Sequence, residues 1–211
     1  MRAVLVVARA AVCPVAGAGS HGHCAPMGEP PSRTRASWRW ALAAATVAGV
    51  AVAGALGAYA DAHPGDDATL LTLWFPTMLE MKSWLATGAA ALLVVQLVSA
   101  LAMYGRLPGA PAAPGWVGLL HRWSGVAAFG LTLPVAFACV WSIGFEDEPA
   151  RVLVHSVAGC LFYGAFTVKM LALRVRGLPP AVLPLLGGLV VALLALVWST
   201  SALWYLTGGV S

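Results

Sequence analysis

Polar residues are so sparse between Trp40 and Tyr205 that the chain divides into five apolar runs: Trp40 to Ala60, Leu79 to Tyr104, Trp116 to Ile143, Val152 to Leu173 and Val182 to Tyr205. At about 1.5 Å of helix per residue, each run meets the roughly 20 residues that cross a hydrocarbon core about 30 Å thick. The pattern predicts an all-α, polytopic membrane bundle of five transmembrane helices over residues 38–207. Five crossings place the two termini on opposite faces of the membrane.

The charges then orient the weave. Of twelve basic residues, Arg2, Arg9, Arg33, Arg35, Arg39, Arg106, Arg122, Lys169, Arg174 and Arg176 fall on one side, and Lys82 and Arg151 fall on the other. The positive-inside rule makes the first side cytoplasmic, with the N-terminus inside and the C-terminus outside. Seven of eight acids (Asp61, Asp66, Asp67, Glu80, Glu146, Asp147, Glu148) lie at the opposite face. Composition agrees with a multi-pass protein of the cell membrane: 60% hydrophobic, 9% charged, mean hydropathy +0.85. The net charge of +4 is accounted for by topology, so the expected partner is the lipid bilayer and not nucleic acid. Cys13, Cys24, Cys139 and Cys160 read as thiols, since two lie in the cytoplasmic leader and two in predicted spans.

Residues 1–37 read as a disordered cytoplasmic leader. Arg9 interrupts its apolar stretch, which argues against a signal peptide. Met27 offers an alternative start, and His21, His23 and Cys24 form a short tract without a second ligand cluster. In the first span, Ala45, Gly49, Ala53 and Gly57 recur every four residues, a small-residue ridge suited to close packing within the bundle. Trp38, Trp40, Trp198, Trp204 and Tyr205 are expected as interfacial anchors, and Pro134 as a bend in the third span. No phosphate loop, dinucleotide fingerprint, zinc-protease motif or nucleophile elbow is present, so an enzyme of a soluble type is not expected.

Ionisable groups inside spans are costly and mark candidate sites. His121 and His155 each precede a glycine by four residues, Gly125 and Gly159, which places an open space on the same helical face. A flat macrocycle would fit such a space. Phe162, Phe166 and Met170 continue the fourth helix's face, as either a porphyrin edge or a packed interface. The two histidines begin antiparallel helices, so they stand about 25 Å apart along the membrane normal and cannot share one metal. Met103, Met170 and Met81 are the methionines at suitable depths to serve as second ligands.

The sequence His121-Arg122-Trp123-Ser124-Gly125, then Leu131 to Ala136, Val154-His155-Ser156, Gly159, Phe162 to Phe166 and Lys169-Met170, resembles an uncharacterised actinobacterial family of multi-span membrane proteins. The likeness runs from about Phe75 to Tyr205. It looks distantly like the cytochrome b561 and ferric-reductase bundles, in which histidines of neighbouring helices hold b haem. That resemblance implies a histidine where this chain has Ala138.

Three functions follow as alternatives. The first is a non-enzymatic accessory or structural membrane subunit, with Glu80 or a loop acid pairing Lys82 or Arg151 and His155 bonded to a hydroxyl. A second is a b-type cytochrome with an extracytoplasmic or membrane redox partner. It would hold haem near His155, with Gly159 giving room, Arg151 and Lys82 on the propionates, and Ser199, Thr200 and Ser201 adding polar contacts. The remaining one is a small transporter, disfavoured by charges near helix ends and an odd span count.

Overall fold

Each apolar run satisfies its backbone polar groups internally as helix, the arrangement lipid demands. In the computed structural model, which describes residues 33–65, 71–107 and 113–208, five helices are long and apolar enough to cross a membrane. They are α1 (Arg33–Ala62), α2 (Met78–Met103), α3 (Trp116–Ala138), α4 (Ala150–Ala172) and α5 (Val182–Trp198). No strand occurs among the described residues. The helix α1 already includes 33–37, which the sequence reading gave to the leader. Cys13, Cys24, the His21–Cys24 tract and Met27 lie outside the described residues.

Two helices widen at their ends. After Pro134, α3 continues as α-helix to Ala138 and then enters a π-helical turn, Cys139–Ile143. Similarly α5 passes into a π turn, Ser199–Leu203, before a last short α-helical stretch, Trp204–Leu206. The π turn of α3 stops at Gly144, whose φ of 83° suits glycine. There the chain folds onto the end of α1: Gly65 N–H donates to Ile143 O (3.2 Å) and Phe145 N–H to Ala60 O (3.1 Å). At the start of α2, the Thr77 hydroxyl caps the Glu80 N–H at 3.1 Å, and Glu80 supplies the acid of the first turn.

The helices form a ring of antiparallel neighbours: α1 on α4, α4 on α5, α5 on α2, and α2 on α3. Large side chains close the ring between α3 and α4, where Phe129 stacks on Phe166 with ring centroids 4.1 Å apart and the Tyr163 hydroxyl donates to Thr132 O at 3.0 Å. Phe162 is buried in the same cluster with Ala89, Ala165, Val190 and Leu194. The Phe162–Phe166 face therefore serves as a packed helix interface, and Met170 is left 46% exposed.

The small-residue ridge of α1 lies against α4 of its own chain. A Cβ placed on Gly49 would stand 2.6 Å from the Gly164 carbonyl oxygen, and one on Gly164 would stand 2.6 Å from the Gly49 oxygen. Gly57 packs near Cys160 Sγ one helical stretch further on. Such approach substitutes dispersion for the hydrophobic force that lipid cannot provide. Gly49→Leu is therefore expected to cost about 1–3 kcal/mol, the range for overpacking. Gly54→Ala, where an added Cβ meets nothing within 4 Å, should leave the bundle as stable or slightly more so. Thermal unfolding of the two variants in the same detergent checks the contrast.

Candidate functional site

The intramembrane polar residues fall into two groups at opposite ends of the bundle. One lies where α2 ends and α3 begins. Gln96 donates both amide hydrogens across this pair, to His121 O at 2.5 Å and Ser124 Oγ at 2.7 Å. Ser99 Oγ spends its proton on Val95 O (2.6 Å) and so accepts from His121 Nδ1–H at 2.8 Å. Ser124 Oγ in turn donates to Leu120 O at 2.7 Å. The donors of this cluster are consumed within it.

The space expected beside Gly125 is taken by that same glutamine, whose amide atoms lie 3.2–3.4 Å from where a Cβ would stand. His121 is thus a hydrogen-bonded member of a helix-helix junction. Gln96 carries no charge and so does not stand out among the ionisable groups of the spans. Its signal in the sequence is its position as the sole side-chain amide of the second span, within the apolar stretch 88–98.

At the other end, near Glu146, Asp147 and Glu148, all five helices surround a cavity of about 290 Å³. It is lined by Lys82, Arg151, His155 and Gly159, so four of the six sequence-predicted site residues come together and His121 and Gly125 stay apart. Their positions follow from the fold. Lys82 lies in the second turn of α2, whereas Arg151 and His155 stand one turn apart at the start of α4. Nothing lies within 4 Å of a Cβ on Gly159, so here the open space beside a histidine exists.

The end of α5 and the π turn after it receive two of these side chains. His155 Nδ1 lies 3.2 Å from Val197 O and 3.3 Å from Thr200 Oγ1. A carbonyl only accepts, so Nδ1 carries the proton and a neutral ring keeps its lone pair on Nε2. The Arg151 guanidinium donates to Thr200 O and lies over the Trp204 ring, 3.7 Å from its centroid. Among the described residues no carboxylate pairs with Arg151, and its charge is met by this cation–π contact; Asp66 and Asp67 of the outer loop lie outside the described residues. Cys139, at the first position of the α3 π turn, interacts with both Lys82 and His155. It is a free thiol, as is Cys160, which also lines the cavity.

Trp198 differs from expectation as well: its Nε1–H donates to Thr87 Oγ1 at 3.1 Å, tying α5 to α2, and its ring lines the cavity. It is an internal strut and not an interfacial anchor. Ala138 is fully buried, so its methyl group fills the position where the resemblance implied a histidine. Among the described residues no cluster of three His, Cys, Asp or Glu side chains could hold a metal ion.

A closed polar junction at one end and an open, cation-bearing cavity at the other define a polytopic membrane helix bundle whose candidate site, among the described residues, is that cavity. Residues 42–210 match the model of a family of unknown function, DUF6529, and the chain belongs to that family. Neither the curated proteins nor the solved structures give a significant match to it.

Interhelical hydrogen bonds in membranes average about 0.6 kcal/mol. Gln96→Leu, which removes two of them, is expected to destabilise the bundle by about 1 kcal/mol, and Ser99→Ala by about half as much. Reversible unfolding in mixed micelles measures both.

Proposed function

We propose that the protein is a non-enzymatic accessory or structural subunit of the cell membrane, with its N-terminus cytoplasmic and its C-terminus outside. The observation that carries this reading is the use of both intramembrane histidines as helix fasteners. The Nδ1 of His121 is engaged by Ser99 and that of His155 by Val197 and Thr200. Such bonds fix helix register without any turnover, and the free energy they supply is of the size lipid-embedded bundles use for that purpose. Charge supports the orientation: Arg39, Arg106, Arg122, Lys169, Arg174 and Arg176 gather at the His121 end, and the acidic loops at the other.

A second reading, a b-type cytochrome related to the b561 bundles, draws support from one feature. His155, whose Nδ1 is held by the Val197 carbonyl, borders the gap at Gly159 with the Cys139 thiol as its other neighbour, and a ring held by its Nδ1–H ligates through the other nitrogen. The donor set fits haem on one side. His155 supplies one axial nitrogen, and Arg151 and Lys82 suit the propionates. The buried Ala138 methyl offers no opposing ligand. When bound, haem would supply one-electron transfer.

Reduced-minus-oxidised visible spectra of the detergent-purified protein, expressed with ample haem, distinguish the two. A subunit gives a folded, colourless protein. Stoichiometric α and Soret bands that vanish in His155→Ala would transfer the assignment to a cytochrome. For the orientation, an impermeant maleimide applied to intact cells should label a cysteine introduced at Thr207 and spare one introduced at Arg106; the reverse pattern would invert the topology.

A further inference from the structure

Among the described residues, the cavity near the acidic loops contains a charge imbalance that helix fastening does not explain. Its wall is overwhelmingly apolar, built from side chains such as Leu56, Leu79, Val135 and Leu194. Yet two cations line it. Arg151 is held by the Thr200 carbonyl and the Trp204 face, contacts that fix the guanidinium but cancel none of its charge. Lys82 interacts with the Cys139 thiol and is half-buried. Glu146 borders the same space but is exposed. Burying charge away from water is costly unless a counter-charge is present, and lysine and arginine on an apolar wall recognise anions through charge-assisted hydrogen bonds.

An occupant must therefore combine an anionic head with an apolar body. At about 290 Å³ the cavity lies at the lower end of the range for small-molecule pockets, which suits one hydrocarbon chain better than two. Gly159 supplies room for that chain, since a side chain there would enter open space. We propose that the cavity binds a single-chain amphiphile with a carboxylate or phosphate head, the head between Lys82 and Arg151 and the chain alongside Gly159. The leaflet that delivers it is the one facing the acidic loops.

The site is tested on the full chain in detergent by displacement of a fluorescent fatty acid, with dodecanoate, its methyl ester and dodecyl phosphate as competitors. Dodecanoate or dodecyl phosphate is expected to bind about ten-fold more tightly than the ester, the size of one charge-assisted hydrogen bond. A stronger dodecanoate assigns a fatty-acid-like head, a stronger dodecyl phosphate a phosphate head. Lys82→Gln should bring the preferred anion to the level of the ester. Gly159→Leu should abolish binding of all three, while Gly188→Leu, at a site on α5 that also meets nothing within 4 Å but does not line the cavity, should not. Equal affinity for acid and ester overturns the proposal. So does equal damage from the two glycine variants, or a stoichiometric haem that no competitor displaces. Loss of the site would leave the subunit reading standing, because that reading rests on the histidine junctions and not on the cavity.

Discussion

The bundle is joined through α4. On one side its backbone touches that of α1 at Gly164 and Gly49, close enough that neither position admits a Cβ without movement. On another, Phe166 and Tyr163 meet Phe129 and Thr132 of α3. At its beginning, Arg151 and His155 reach α5. Hydrocarbon tails compete equally with leucine for a helix surface, so association in a membrane depends on fit and on polar contacts. One helix provides three kinds of such contact, and the placement of the cavity follows from how they converge.

The two ends of the bundle use polarity in opposite ways. At the His121 end, each donor has an acceptor within reach and the glycine's space is filled by an amide. At the His155 end, hydrogen bonds go to the last turn of α5 and to Thr200 of the π turn that follows it, and the gap beside Gly159 stays open. A histidine followed four residues later by glycine thus gives a junction in one case and a cavity wall in the other. The difference comes from the facing helix: α2 presents Gln96 to one glycine, whereas nothing on the neighbouring helices reaches the other.

That contrast also shows what a linear reading can reach. Run length and charge were enough for the five spans, because lipid imposes a local rule on each segment: about 20 apolar residues, with backbone bonds kept inside the helix. Lys82, Arg151 and His155 were legible as well, since ionisable groups in apolar runs stand out, and Gly159 followed from its place four residues after His155. Gln96 filling the Gly125 space, Trp198 bonding Thr87 and Cys139 meeting Lys82 depend on which helix faces which. Helix rotation about its own axis is set by packing across the bundle, and no property of a single run specifies it. The π turns were hidden for a related reason: their composition is that of ordinary helix, and only the neighbouring contacts reveal the widened geometry.

Those π turns carry an implication for how the family's sequences should be compared. A π turn holds one more residue than the α-helical turn it replaces, so it behaves as a single-residue insertion that the helix absorbs without breaking. Both lie at the same end, one contributing Cys139 and the other Thr200, whose carbonyl holds Arg151 and whose hydroxyl meets His155. A relative that shows a one-residue gap within 139–143 or 199–203 would therefore have lost more than length. The widened turn would close to an ordinary α-helical one, displacing the residues inside it, Cys139 in the first case and Thr200 in the second, while the helix beyond the second keeps its face. In aligning such chains, a gap of one at either place marks a change in the pocket's architecture, even where all the residues lining it are retained.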